Sequence, residues 1–470
     1  MEYNLKIEDI IKCTKGKLII GNPKSECINF SKDTRTIQKG DTYIGIKGEK
    51  YDGSQFWEEA FEKGAETVII EKIKIEEEKK EKYKNEGKAI IEVENTKEAL
   101  KQMAVQKRNM YGNNLKVVGI TGSVGKTSTK DMVASVLRQK YKTIKTEGNN
   151  NNDIGLPLTI LRIKDEQVAV IEMGMNHFGE ISELTKIAKP DLAVITNIGS
   201  SHIGNLGSRE NILKAKLEIL EGMERKHVVI NNDNDLLHEL AKKEKIEIDT
   251  YGINNKSDAM AENIEYFEQS SKYTCNLKGE KFEIEVPVGG EHFVLNALCA
   301  SLVGKEFNLN NEEIKRGIEE FKLTKKRMEI INLKNGVKII NDSYNASFES
   351  METSIKYLSN MKNGRKIAVL GDMFELGKFS EELHKKVGQQ VAKNKIDKLI
   401  VVGKDAKYIM QEAQKNGMKK EQIEYFNTQE ETKENIIKNM QSGDIILFKA
   451  SNGMKLFNIV DDIKNKIGLQ

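Results

Sequence analysis

The chain has 470 residues, 38% hydrophobic and 31% charged, a balance that excludes a disordered polyelectrolyte and predicts about three domains at roughly 150 residues each. Lysine and arginine total 75 against 72 aspartates and glutamates, a formal charge of +3, so no global field favours nucleic acid or an anionic membrane and any phosphate recognition is local. No run approaches the roughly 18 consecutive apolar residues of a membrane span, and the start, MEYNLKIEDIIKC, has no basic stretch leading into an apolar core, which together predict a cytoplasmic protein.

Along the chain, short apolar runs at 43–46, 67–70 and 89–93 alternate with helical patterns at 56–63 and 97–110, the grammar of a small α/β domain. The mixed-charge run at 71–88, EKIKIEEEKKEKYKNEGK, has nearly cancelling signs and reads as a solvated helix or loop, not a nucleic-acid patch. A second unit opens with a strand at 115–120, a glycine-rich turn and a helix on which Met132, Val133, Val136 and Leu137 share a face. Strands at 168–171, 192–196 and 227–230, separated by helical segments, predict a mainly parallel sheet covered on both sides. Residues 258–288 look extended and locally antiparallel, ahead of a helix at 292–303. A third unit repeats the pattern with strands at 337–340, 366–370, 398–402 and 444–448, each followed by a polar or glycine cluster: NDSYN, GDM, GK and KASNG. Ligands of open α/β sheets collect at the carboxyl ends of strands, so these clusters mark a functional edge. The unit boundaries fall near residues 113 and 323. Cys13, Cys27, Cys275 and Cys299 form no CxxC pair and read as reduced thiols.

The strongest local signal is GITGSVGKTST at 119–129, set between a strand and a helix as a phosphate loop requires. Backbone N–H groups freed by Gly122 and Gly125 can wrap phosphate oxygens, and the helix N-terminus that follows favours negative charge. Lys126 supplies a cation for the β- and γ-phosphates and Thr127 a hydroxyl for Mg²⁺, with Ser123 and Ser128 as further ATP-binding candidates. Ile120 stands where the strict G-x-x-x-x-G-K-[ST] pattern has its first glycine, so this is a variant loop. A strand-to-helix turn with a capping threonine is the plainer reading of the same residues. A nucleotide with Mg²⁺ also needs acidic or imidazole ligands. Glu172 closes the strand VAVIE and His202 follows LAVIT through NIGSSH, which puts both at strand ends beside the loop if these strands neighbour the first. Taken singly, such a glutamate is commonly a solvated cap and such a histidine structural; the order Lys126, Glu172, His202 joins them.

Eight blocks then run in order: DTR at 33–35 with GEKYDG at 48–53, GITGSVGKTST, TEGNNNNDIGLPLTIL at 146–161, EMGMNHFGEI at 172–181, TNIGSSHIGNLGSRENILKAKLEI at 196–219, GEHFVLNALCA at 290–300, DSYNASFESM at 342–351 and LGDMFELG at 370–377. Together they resemble the Mur ligase family over essentially the whole chain. That resemblance implies an α/β fold in three domains: an N-terminal α/β substrate domain at 1–113, a central P-loop ATPase domain with a mainly parallel sheet at 114–323, and a C-terminal Rossmann-like domain at 324–470. It implies that Thr127, Glu172 and His202 hold Mg²⁺, and that Lys216 in AKLEI carries a carbamate derived from CO₂. Carbamylation turns a cation that would repel the metal into an anionic oxygen ligand. Lys126, Lys216 and His202 are then the catalytic set. Asn296 matches an asparagine that contacts adenine, Asp342 a ribose-binding aspartate, and Arg327 in KKRMEI an arginine near the phosphates. Thr34, Arg35, Asp52 and Gly53 are the candidates for the UDP end of the substrate, with Asn345 and Asn452 on the acceptor side. Without the family, a surface lysine, a cap and a turn residue are the plainer readings of Lys216, Asn296 and Asp342. The chain departs from the family pattern at Phe293, Ser201, Ser347-Phe348, Ala450 and Asn452.

Sister enzymes that add diaminopimelate or lysine carry D-N-P-R in the third domain, which this chain cannot contain because no proline follows Pro287. DSYNA and LGDMFELG resemble the dipeptide-adding branch. The resemblance implies ATP-driven amide formation in a cytoplasmic monomer acting on small molecules, with neither nucleic acid nor membrane as partner. The carboxylate of UDP-N-acetylmuramoyl-tripeptide becomes an acyl phosphate, and the amine of D-alanyl-D-alanine displaces the phosphate. A sister ligase adding one amino acid is the alternative within the family, and a nucleotide-dependent switch module the alternative from another class.

Overall fold

A computed structural model describes residues 3–243 and 246–470. The chain forms two compact units, one built on the residues up to Thr121 with Lys140–Val194 and Leu217–Val228, the other on Gly122–Gln139, Ile195–Lys216 and Val229–Gln470.

In the first unit a sheet runs in the order Leu5–Lys6, Glu26–Ser31, Asp41–Ile44, Thr67–Glu71, Ala89–Val93, Lys17–Ile20. Its inner pairings are parallel and its two outer ones antiparallel. Val68, Ile69, Ile90 and Ile91 are fully buried, as expected of strands covered on both faces. The charged run at 71–88 contains the helix Glu77–Asn85. Its lysines and glutamates face solvent as expected, but Tyr83 does not: it is buried, with its ring 5.4 Å from Trp57 and 4.8 Å from Phe61. The helix Thr96–Tyr111 starts at Asn95, whose side chain accepts the Glu98 N–H, and packs on the helices Gly155–Leu161 and Glu180–Ala188. Near its end Arg108 donates to the Ala188 carbonyl at 2.9 Å and the Lys189 carbonyl at 3.2 Å, satisfying the open carbonyls of the neighbouring helix. The strand Lys116–Thr121 then lies between Leu192–Ile195 and Val168–Glu172, with Thr143–Lys145 outside the latter. This is the adjacency that the order of strand-end residues required.

In the second unit the helix Lys126–Leu137 buries Met132, Val133, Val136 and Leu137 against the helices Glu291–Glu306 and Asn311–Glu319. The expected antiparallel stretch is a meander of Ala259–Tyr266, Ser271–Leu277 and Glu280–Val286. A further sheet runs in the order Glu329–Asn332, Lys338–Asn341, Ile445–Lys449, Lys366–Gly371, Lys398–Val402, Ile423–Phe426. It is parallel except for its first pair, and its core includes Ile339, Val369, Ile400, Ile446 and Phe448. The absence of proline after Pro287 leaves every ladder N–H of this sheet available. The four cysteines are free thiols, and among the described residues no helix is long and apolar enough to cross a membrane.

Candidate active site

The second unit holds the phosphate loop. Gly122 has φ +151°, and a Cβ there would lie 1.9 Å from Thr196 Oγ1, so only glycine fits. Gly125, at φ +84°, turns the chain into the helix. The loop is braced by the segment after Ile195. Ser123 N–H donates to the Asn197 carbonyl at 3.0 Å and Val124 N–H to Asn197 Oδ1 at 2.9 Å, while Thr196 Oγ1 donates to the Val124 carbonyl at 2.6 Å. Lys126 folds back over the loop, its Nζ 2.7 Å from the Gly122 carbonyl. Thr127 is buried, and its Oγ1 accepts from Arg327 Nη2 at 2.9 Å; the Arg327 guanidinium stacks over the Tyr344 ring at 4.1 Å. Ser128 is half-buried on the helix, and one residue on, Thr129 Oγ1 donates to Asn296 Oδ1 at 3.0 Å. Thus Arg327 and Asn296, far along the chain, both arrive at the loop helix.

Lys216 is 1% exposed, so it is not the surface lysine of the plainer reading. Burial, reinforced by the nearby charge of Lys126, holds its ammonium well below the usual lysine range, and among the described residues no carboxylate counters these effects. Lys214, two residues earlier, is exposed. His202 sits in left-handed backbone, φ +64°, with Nδ1 2.5 Å from Glu375 Oε2. Asp342 is a clasp: Oδ1 accepts the Met328 N–H at 3.2 Å, and Oδ2 accepts from Ser354 Oγ at 2.7 Å and from the buried Lys449 Nζ at 2.5 Å. A ribose would therefore meet a carboxylate already engaged on both oxygens. The two acceptor-side candidates come together, Asn452 N–H donating to Asn345 Oδ1 at 3.3 Å. At the next strand ends Asp372 accepts the N–H groups of Lys404, Asp405 and Ala406, so the GDM and GK clusters are tied to one another.

In the first unit Glu172 is buried and lies in register with Ile120, two residues before Gly122. Its Oε1 accepts from Asn151 Nδ2 at 2.8 Å, and its N–H donates to Thr146 Oγ1 at 3.0 Å. Around Asp33 the contacts are local. Arg35 Nε and Nη2 donate to the Asp33 carboxylate at 2.8 and 2.6 Å, which pulls that carboxyl down to about 2, and Thr34 Oγ1 donates to Glu59 at 3.0 Å. Asp52 accepts the Ser54 N–H at 2.9 Å, and Gly53 packs so closely on Ile46 that a Cβ would lie 2.6 Å from its carbonyl oxygen.

Known proteins resemble this chain along its length. Residues 30–108 match the Mur ligase family catalytic domain, 120–304 the Mur ligase middle domain, and 326–452 the Mur ligase glutamate ligase domain. The UDP-N-acetylmuramoyl-tripeptide–D-alanyl-D-alanine ligase of Bacillus subtilis is 38% identical over 462 residues, covering 97% of this chain and 98% of that one. The chain belongs to the Mur ligase family. Among solved structures, MurF from Acinetobacter baumannii is 30% identical with a TM-score of 0.87, covering 99% of both chains. MurF from Thermotoga maritima in complex with ADP is 28% identical with a TM-score of 0.79, covering 94% of this chain and 98% of that one. This Mur ligase accordingly has the N-terminal, middle and C-terminal architecture of its family. Sequence reasoning did not single out Thr146, Asn151, Glu349, Ser354, Glu375 or Lys449. Each lies in or beside a quoted block, but what each touches is set by side-chain pairing, not by spacing.

Proposed function

We propose that this Mur ligase is an ATP-dependent, ADP-forming enzyme that joins D-alanyl-D-alanine to UDP-N-acetylmuramoyl-tripeptide. The observation that carries the reading is the braced loop Gly122–Thr127, with the buried Lys216 and with Arg327 brought to Thr127, in a chain related over nearly its full length to ligases of that name. The N–H groups of the loop and helix start that Asn197 does not already take bind the ATP phosphates, and Lys126 exchanges the Gly122 carbonyl for the transferring phosphoryl group. The tripeptide carboxylate attacks the γ-phosphorus, ADP leaves, and the acyl phosphate formed is attacked by the dipeptide amine; the tetrahedral intermediate then collapses to amide and phosphate. Exclusion of water by the surrounding domains protects the acyl phosphate.

The donor set suits a hard cation: the Thr127 hydroxyl, the His202 imidazole, whose buried Nδ1 lies against the Glu375 carboxylate and leaves Nε2 for the metal, and, from the resemblance, the Glu172 carboxylate. Mg²⁺, when bound, supplies charge neutralisation for the phosphates. Lys216 is assigned as a carbamate. Its amine is buried, held towards its neutral nucleophilic form and, among the described residues, unmatched by any acid, so addition of CO₂ with loss of a proton gives an anion facing the Lys126 charge. Asn296, Asp342 and Arg327 are assigned to the nucleotide, Thr34, Arg35, Asp52 and Gly53 to the UDP end, and Asn345 and Asn452 to the acceptor side. We place the domains at 1–113, 114–323 and 324–470, and the enzyme in the cytoplasm, where ATP is supplied. A phosphate-release assay tests the reading: release should require both the UDP-tripeptide and D-alanyl-D-alanine, whereas ATP hydrolysis independent of the dipeptide would identify a nucleotide switch.

A further inference from the structure

The loop that carries His202 runs from Gly199 to Gly204, and two glutamates from the ligase domain reach it. Glu349, in the first turn of the helix Phe348–Asn360, accepts the Ser200 N–H at 2.7 Å and the Ser200 hydroxyl at 3.0 Å. Glu375 places Oε2 2.5 Å from His202 Nδ1, out of line with a ring N–H, so that this buried nitrogen has no aligned hydrogen-bond partner. The Glu375 carbonyl accepts the Gly204 N–H at 3.0 Å.

Both glycines are explained by these approaches. A Cβ on Gly199 would lie 2.6 Å from the Glu349 carboxyl carbon, and one on Gly204 2.5 Å from the Glu375 carbonyl oxygen. Neither glycine has a positive φ, so close packing, not backbone conformation, excludes a side chain. His202 and Glu375 face each other in left-handed backbone, φ +64° and +63°, a conformation that residues other than glycine keep only where the surroundings impose it.

The geometry points to Glu349 and Glu375 as positioning residues: together they clamp the Gly199–Gly204 loop and hold the His202 imidazole in one orientation towards the metal. This rests on the assignment of His202 as a Mg²⁺ ligand. A metal-binding imidazole characteristically gives its second ring nitrogen to a carboxylate, which fixes tautomer and orientation. Glu375 places its carboxylate against Nδ1 by close approach and without an aligned hydrogen bond, which leaves Nε2 as the ligating nitrogen, and Glu349 anchors the backbone two residues earlier. Because both glutamates belong to the ligase domain and the loop to the middle domain, the metal site is complete only when the two are docked, which couples metal loading to the domain that receives the acceptor amine.

The test measures Mn²⁺ binding to the full-length protein with ADP, by electron paramagnetic resonance of the free ion, alongside the Mg²⁺ dependence of ligation. Glu375→Gln, nearly isosteric, should weaken Mn²⁺ binding about tenfold and raise the half-saturating Mg²⁺ concentration to match, with the rate at saturating Mg²⁺ reduced less than threefold. Gly204→Ala keeps both glutamates but fills the seat of residue 375, and should give the same shift. Glu381→Gln, exposed on the following helix, should change nothing. Unchanged Mn²⁺ binding in Glu375→Gln or in Gly204→Ala would overturn the inference, as would a slower rate with an unaltered metal dependence. Failure of the unmodified chain to ligate would sink the proposed reaction instead, because Mn²⁺ binding with ADP is read without either ligation substrate.

Discussion

The phosphate-loop region and the region from Asp33 to Gly53 carry the same kind of sequence signal, short polar motifs at strand ends, and they settle their polar groups in opposite ways. In the second region the charged candidates find local partners, Arg35 bonding Asp33 with its side chain 84% exposed and Asp52 capping Ser54, and only Thr34 among the candidates described there reaches farther, to Glu59. Around the loop the partners are remote, Arg327 meeting Thr127 and Asn296 meeting Thr129, and among the described residues Lys216 meets a second cation and no acid. A polar group satisfied by its neighbours folds the same way whether or not a ligand ever arrives. A buried amine without a counterion is a cost that folding alone does not explain, and such costs concentrate where chemistry needs them. In the proposed reaction the contrast would separate residues that act on the transition state from residues that only hold one end of a substrate.

Kinetics should divide along that line. Lys126→Ala should lower kcat by about a thousandfold, the scale of losing a preorganised charge at a transferring phosphoryl group. Arg35→Ala should raise KM for the UDP substrate several-fold and leave kcat alone, the signature of binding lost equally from ground and transition states. A kcat loss at Arg35 comparable to that at Lys126 would break the comparison.

Lys216 gives the next largest effect and sharpens the contrast within a single helix. Lys216→Ala should lose about a hundredfold in kcat, the lower part of the range for removing one charge stabiliser. A short carboxylate in the buffer should restore part of that loss by occupying the vacated anionic position. Lys216→Arg should not be rescued, since a permanent cation fills the space and cannot take up CO₂. Lys214→Ala, on the exposed face, should be silent. If the two lysines exchanged these behaviours, the proposed carbamate would have been assigned to the wrong residue.

What was legible in the sequence follows the same division between near and far. Buried strands such as 398–402 and 89–93 declare themselves because covering both faces makes them continuous apolar runs. Edge strands such as Thr143–Lys145, Glu329–Asn332 and Ile423–Phe426 do not, being short and only partly buried. The loop was readable because Gly122, Gly125, Lys126 and Thr127 are adjacent and each residue type has a reason to be there. The burial of Tyr83 inside a charged helix, the hold of Asn151 on Glu172, and the reach of Glu349 and Glu375 to the His202 loop depend on pairings that no period encodes. Lys216 shows both sides: the family block marks its position, yet only its burial and its lack of an acid distinguish it physically from Lys214.

His292 carries the contrast into stability. It stands at the start of the helix that bears Asn296, near the Asp342–Lys449 clasp, and burial pushes its imidazole down to about 4; the Lys449 charge adds to this and the Asp342 charge opposes it. Between the ordinary histidine value of about 6.5 and this depressed value the unfolded chain binds a proton that the native protein refuses, so stability falls as pH drops through that window and the loss levels off below it. The full contribution is at most about 3 kcal/mol, from 1.36 kcal/mol per pKa unit. His292→Gln should remove this slope, so the difference between the unfolding curves of the two proteins should grow from pH 6.5 down to pH 4 and then stay constant. The exposed Asp33–Arg35 pair titrates lower and contributes little, because solvent screens it; Arg35→Ala should therefore leave the pH profile of stability unchanged in the same window. A parallel pair of curves for the native protein and His292→Gln would mean that His292 is protonated in the folded state, and that the Asp342 charge outweighs burial at that end of the helix.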